Sequence, residues 1–180
     1  MTIMLPGSAG VTLEAMLAAK ESRAARQSHW LTHYQFPVIS LTLVTPGRLK
    51  DSIRYRNLMG VALQMCDQLL WEKHWQVLGR QVLWLPTGPE AMWCVAHSAP
   101  ELKVHCMSLE QTHPLGRLWD LDVICPHSGH IGRQRLGDAL RPCLVCDRPA
   151  HSCSRSQRHP VEDLVARVES IIDDWFSRDE

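Results

Sequence analysis

Apolar positions along this chain alternate between helical and strand spacing. From Thr12 to about Leu31, the residues Leu13, Met16, Leu17, Lys20, Ala24 and Gln27 trace one broad stripe behind a capping threonine, which predicts a helix. Phe36 to Val44 is apolar and β-branched, bounded by Pro37 and by the turn signal Pro46-Gly47, and predicts a buried strand. Helical spacing returns from Ile53 to about Leu70. Val77 to Leu85 and Met92 to Ala96 predict a hairpin joined through Pro86-Thr87-Gly88-Pro89-Glu90. Pro100 suits a first helical position and Glu101 suits the positive end of a helix dipole, so a helix is expected from there to about Glu110. Leu118, Trp119, Leu121, Val123 and Ile124 read as a strand. A Gly- and Pro-rich loop region follows, with a short strand expected at Ile131 to Arg133. Val161, Leu164, Val165, Val168, Ile171, Ile172 and Trp175 then keep the spacing of an amphipathic, core-covering helix that begins near Pro160.

These elements predict an α+β fold with a mixed or antiparallel sheet covered by helices. A length of 180 residues fits a single domain over 1–180, with a Cys/His-rich loop at about 141–159 and a terminal helix at about 160–176. Basic and acidic residues balance at 19 each, which excludes bulk attraction to nucleic acid or to an anionic membrane. Any anionic ligand has to be bound locally, and arginines, which outnumber lysines here, suit bidentate phosphate contacts. Residues Met1 to Leu13 lack a basic start before an apolar block, and no run of about eighteen apolar residues occurs, so a cytoplasmic protein is expected. Seven cysteines, an odd number, do not describe a disulfide framework; reduced thiols are the default.

The densest chemistry lies between Glu110 and Val123. On a strand, residues i and i+2 point to one face, so Asp120 and Asp122 project side by side while Trp119 turns to the opposite face and the core. Adjacent carboxylates on a half-buried surface repel each other and lose solvation, so a fold that keeps both supplies cations or a proton. Mg²⁺, held by one or two carboxylates together with substrate phosphates, is the usual remedy, and it suits phosphoryl or nucleotidyl transfer. The plain alternative is a solvated strand edge. Glu110, His113 and Arg117 crowd the approach, with Pro114 and Gly116 turning the chain into the strand. Glu110 or Glu90 is a candidate third metal carboxylate or base, and His113 is the competing base. Arg23 and Arg26 share a helix face, and Lys50 follows a strand-end turn; all three, with Arg117, are candidate phosphate contacts.

Cys143-x-x-Cys146, followed by Cys153 and His159, has a spacing that a tetrahedral Zn²⁺ uses, and such an ion would order a polar loop of little apolar content. His151 and Cys125 are alternative ligands, and ordinary reduced thiols or a redox pair are alternative readings.

The segment His113-Pro114-Leu115-Gly116-Arg117-Leu118-Trp119-Asp120-Leu121-Asp122-Val123 resembles the signature of the holo-citrate lyase synthase family, the apo-citrate lyase phosphoribosyl-dephospho-CoA transferases. Further similar motifs run in order along the chain. They are Arg23-Ala24-Ala25-Arg26-Gln27, Pro46-Gly47 with Lys50-Asp51, Gly88-Pro89-Glu90, Arg141-Pro142-Cys143-Leu144-Val145-Cys146, and Cys153, Arg155 and His159. The resemblance implies transfer of a 5-phosphoribosyl-dephospho-CoA group from its triphosphoribosyl-dephospho-CoA precursor to a serine of the acyl carrier (gamma) subunit of citrate lyase, with diphosphate released. It also admits a nucleotidyltransferase-like fold, although the Gly-Ser pair that such folds set some ten residues before their Asp-x-Asp strand is missing. Rival readings are a carrier-protein synthase serving malonate decarboxylase and a noncatalytic, zinc-stabilised adaptor.

Overall fold

The computed structural model describes residues 10–137 and 140–179. Most of the N-terminal stretch read for targeting signals, residues 1–9, therefore lies outside the described residues. Among the described residues, five α-helices and five strands follow one another as α1 Leu13–Tyr34, β1 Val38–Leu43, α2 Ile53–Glu72, β2 Val77–Leu85, β3 Gly88–Val95, α3 Ala99–Thr112, β4 Trp119–Cys125, β5 Gly129–His130, α4 Ala150–Arg155 and α5 Val161–Phe176. The strands form one sheet in the order β2-β3-β1-β4-β5, with every neighbouring pair antiparallel. Among the described residues, no helix is long and apolar enough to cross a membrane.

Local chemistry explains the element boundaries. The Thr12 hydroxyl accepts the Ala15 N–H at 3.1 Å and the Ser52 hydroxyl accepts the Tyr55 N–H at 3.1 Å, so α1 and α2 each open on a side-chain cap. α1 runs a turn beyond its expected end, until Gln35 adopts the left-handed conformation. The hairpin connection is shorter than expected: Pro86-Thr87 alone joins β2 to β3. Gly88, at φ 113, lets pairing begin at once, and Pro89 lies opposite Trp84. The short last strand falls at Gly129–His130 rather than at Ile131 to Arg133. Ile131 still donates its N–H to the Val123 carbonyl at 2.9 Å, but a 3-10 turn starts at Arg133 and ends the pairing.

The two sheet faces differ. Ile39, Leu41, Ala91, Trp93, Trp119, Leu121 and Val123 bury one face beneath α2, α3 and α5, where Tyr55, Leu58, Met59, Leu102, Val168 and Ile172 complete the core. On the other face, Trp30, Leu31 and Tyr34 in the second half of α1 cover Val38, Met92 and Cys94. The register sets Ser40 opposite Asp122 and Thr42 opposite Asp120 on that same face, where Gln27 of α1 donates to the Ser40 hydroxyl at 2.9 Å and Lys20 and Arg23 line a cavity with Thr42 and Asp120.

Strand β4 meets β5 only at Ile124 and Cys125, which leaves its outer edge to side chains. Glu110 accepts the Leu121 N–H at 2.7 Å, and the Lys103 ammonium donates to the Leu121 carbonyl at 2.7 Å. These two residues stand two turns apart on one face of α3, so a single helix supplies both the acceptor and the donor that a neighbouring strand would have given. Arg141 donates to the Trp119 carbonyl and lies 3.0 Å from Glu110, which Arg133 also engages. Burial pushes the Glu110 carboxyl up, while Arg141, the Leu121 N–H and Arg133 pull it down. Its charge is therefore tolerated only because it is fully partnered. Glu110→Ala would strand the Leu121 N–H and two guanidinium groups, at a cost of about 3–5 kcal/mol. Urea unfolding measures this, and a loss below about 1 kcal/mol, the scale of an exposed pair, would contradict the edge-sealing role.

Candidate active site

The turn into β4 is built on close backbone approach. α3 ends at Thr112, the His113 N–H still reaches the Leu109 carbonyl at 3.2 Å, and the Gly116 N–H returns to the His113 carbonyl at 2.8 Å. A Cβ on Gly116 would press into the Leu109 and Glu110 carbonyl oxygens, so only glycine fits there. This turn launches β4 with Trp119, fully buried, on the core face and Asp120 and Asp122 on the α1 face.

Two cavities share Asp120 as a wall. The smaller, of about 220 Å³, lies between α1 and the sheet and is lined by Lys20, Arg23, Thr42, Lys50, Glu90 and Asp120. The larger, of about 1040 Å³, opens on the other side of Lys20, Thr45 and Asp120, toward Arg117, Leu144 and Leu164. The smaller cavity is charged for an anion. Burial and then the neighbouring Lys20 charge hold the Lys50 ammonium below its usual value, and Lys50 spends one N–H on the Thr45 carbonyl. Arg23 donates to Glu90 at 2.8 Å and Arg26 holds the other Glu90 oxygen, so this carboxylate fixes both guanidinium groups beside the cavity.

Burial pushes the Asp122 carboxyl up, and repulsion from Asp120 adds to it, against the opposing pull of Lys103, His130 and Arg141. An anion in that position gains from a hard cation. Arg141 stands 3.6 Å from Asp120, and β5 places His130 beside Ile124, diagonal to Asp122 on the same face.

The other expected site residues are placed as follows. Glu110 lies at the β4 edge, where its carboxylate is engaged by the Leu121 N–H, Arg133 and Arg141 rather than grouped with the aspartates at the cavities. His113 is on the core face: its ring packs against Trp119 at 4.6 Å and Trp175 at 4.8 Å between centroids, and its Nδ1 accepts the Leu115 N–H at 3.0 Å. Burial holds it below its usual value, as a neutral turn-forming acceptor away from the aspartates. Arg117 borders the larger cavity and donates twice to the Pro142 carbonyl, at 3.0 and 2.6 Å. Sequence reasoning missed Lys20, Thr42, Lys103, His130 and the positioning role of Arg141. Lys20 had a readable signal, one turn before Arg23 on the same helix face, and Thr42 follows from the β1 alternation; Lys103 and Arg141 depend on packing that no local pattern encodes.

Cys143, Cys146, Cys153 and His159 converge with all four donor atoms within 4.8 Å of one another, a set able to hold a metal ion; His151 and Cys125 are outside it. The Cys146 and Cys153 sulfurs are 3.5 Å apart, and His159 Nε2 is 3.3 Å from Cys146 Sγ.

A carboxylate pair beside a lysine-lined cavity, on an antiparallel sheet, has the makings of an enzyme that transfers a charged group. Comparison with known proteins agrees. Residues 11–175 match the family described as apo-citrate lyase phosphoribosyl-dephospho-CoA transferase. Proteins of that name from Shigella flexneri serotype 5b (strain 8401) and from Escherichia coli O1:K1 / APEC are each 35% identical over 164 residues, covering 91% of this chain and 90% of theirs. The chain belongs to the apo-citrate lyase phosphoribosyl-dephospho-CoA transferase family.

The Asp122 environment carries a pH signature. Folding holds this carboxyl above its unfolded value, so its contribution to stability is complete below the unfolded carboxylate range and is lost as pH rises through the folded value. Asp122→Asn, with no charge to desolvate, is expected to raise Tm at pH 7 in Mg²⁺-free buffer. The gain should vanish below about pH 3.9, where the wild-type carboxyl is protonated folded or unfolded. Differential scanning calorimetry across that range checks it, and a less stable variant at pH 7 would contradict the burial argument.

Proposed function

We propose that this protein transfers the 5-phosphoribosyl-dephospho-CoA group from 2'-(5''-triphosphoribosyl)-3'-dephospho-CoA to a serine of the apo acyl carrier (gamma) subunit of citrate lyase. The observation that carries this reading is the position of Asp120, shared by a small cationic cavity and a large, more apolar one. A nucleotidyltransferase-type reaction needs such a division: one side for the departing phosphates, one for the nucleotide, and carboxylates between them.

In this reading, Asp120 and Asp122 hold one or two Mg²⁺ ions, a fit supported by the raised Asp122 carboxyl and by its doubled negative charge with Asp120. Bound there, Mg²⁺ supplies charge neutralisation of the reacting phosphates. Lys20, Lys50 and Arg23 bind the β- and γ-phosphates in the smaller cavity, and Arg117 faces the nucleotide in the larger one. The serine Oγ forms a bond to the α-phosphorus as the bond from that phosphorus to the β-phosphate bridging oxygen breaks. The electron pair leaves with diphosphate into the lysine-lined cavity. His130, on the aspartate face, accepts the serine proton. Arg26 and Glu90 hold Arg23 in place, and Glu110 and His113 hold the strand and its turn. The Cys/His set takes Zn²⁺ as a closed structural centre, since four protein ligands leave no open position for substrate.

Intact mass spectrometry of the apo carrier subunit, incubated with the triphosphoribosyl donor, Mg²⁺ and this protein, tests the proposal. The expected result is a mass gain equal to the phosphoribosyl-dephospho-CoA group with diphosphate released. Asp120→Asn and EDTA should each lower the rate by about 100-fold or more, the scale of losing one transition-state contact. No gain with a folded enzyme and a competent carrier would overturn the reading, and a faster reaction with the malonate decarboxylase carrier would move the partner assignment.

A further inference from the structure

The Cys/His set is joined to the carboxylate site by two consecutive residues. The backbone around it forms a small hairpin: Pro142 bridges Pro149, the Cys143 N–H reaches the Arg148 carbonyl at 2.7 Å, and the Ala150 N–H reaches the Arg141 carbonyl at 2.8 Å. Cys143 and Cys146 stand in its turn, Cys153 on α4, and His159 just before α5. Among the described residues from 140 to 159, Cys153 alone is buried, so hydrophobic burial does little to hold this segment in place. Yet the residue before Cys143, Pro142, receives both Arg117 hydrogen bonds on its carbonyl. The residue before that, Arg141, donates to the Trp119 carbonyl and stands between Glu110 at 3.0 Å and Asp120 at 3.6 Å.

We infer that a zinc ion in the Cys143, Cys146, Cys153 and His159 set is the element that positions Arg141 and Arg117 at the start of β4, coupling metal occupancy to the edge and charge balance of the aspartate strand. The inference rests on the zinc assignment and is independent of which group the enzyme transfers. Arg141 is a positioning residue here: it seals the Trp119 carbonyl and sets the charge beside Asp120, while the metal fixes the backbone from which it reaches. Without the ion, the hairpin has three thiols, an imidazole and few apolar contacts, and both arginine contacts loosen together.

Metal uptake and hydrogen exchange on the full chain test this without an activity assay. Reconstitution should give one Zn²⁺ per chain, and Co²⁺ in its place should give the visible spectrum of a tetrahedral thiolate site. Cys153→Ser should lose the ion, whereas His159→Cys, which preserves a four-ligand set, should keep it. Chelator-stripped protein should exchange amide hydrogens at least about tenfold faster at residues 117–122 as well as at 141–159, with α2 unchanged, and His159→Cys should retain full protection at both segments. Failure of the folded wild-type chain to take up Zn²⁺ or Co²⁺ would overturn the inference. So would stripping that exposes 141–159 alone, since the ion would then order only its own loop. Equal loss across α2 would overturn it as well, because the ion would then hold the whole fold rather than the site.

Discussion

The outer edge of β4 is a row of backbone donors and acceptors that β5 is too short to pair, and the arrangement of the site depends on how that row is covered. Glu110 and Lys103 satisfy the two sides of Leu121, Arg141 satisfies Trp119, and Ile131 satisfies Val123. Buried backbone groups without partners are costly, so charged side chains take the place of a strand. That solution imports one carboxylate, one ammonium and two guanidinium groups into a half-buried region. The carboxylate and the cations are mutually necessary, and the same Arg141 that seals the edge also faces Asp120.

Charge is handled differently on the two sides of the sheet. The core face is apolar from Ile39 to Trp119, and it fixes the plane of β4 by packing alone. The other face is only half covered: Trp30, Leu31 and Tyr34 near the end of α1 close over Val38 and Met92, while Lys20, Arg23 and Arg26, earlier in the helix, lie over Glu90, Thr42 and Asp120. A helix that changes character midway thus closes one end of a sheet and leaves an electrostatic cavity at the other. The lysines crowd one another, and the aspartates repel one another against the partial opposing pull of Lys103, His130 and Arg141. An anionic ligand with a divalent cation relieves both at once.

Much of this was legible in the sequence because it is local. Alternation along β4 put Asp120 and Asp122 on one face and Trp119 on the other, Thr12 marked the start of α1, and the spacing from Cys143 to His159 anticipated four converging donors. Long-range packing decides what local pattern does not. Glu110 and His113 lie within a few residues of the aspartate strand, which made them look catalytic. Yet α3 directs Glu110 to the strand edge, and the turn directs His113 into the core against Trp119 and Trp175. Arg23 and Arg26 do share a helix face, but their immediate partner is Glu90, sixty-odd residues away and opposite nothing that periodicity could reveal. The hairpin turn was read too long because Gly88 and Pro89 look like loop residues, whereas Gly88 takes a conformation that starts the strand.

We propose that Asp120, which borders both cavities, holds a divalent cation together with Asp122. Titration of the full chain with Mn²⁺, followed by electron paramagnetic resonance with the triphosphoribosyl donor present and absent, tests it most directly. The expected result is bound Mn²⁺ that Mg²⁺ displaces, tighter with the donor and lost in both Asp120→Asn and Asp122→Asn. Undiminished Mn²⁺ binding in the two variants, or no binding by the wild-type chain even with the donor, would contradict it.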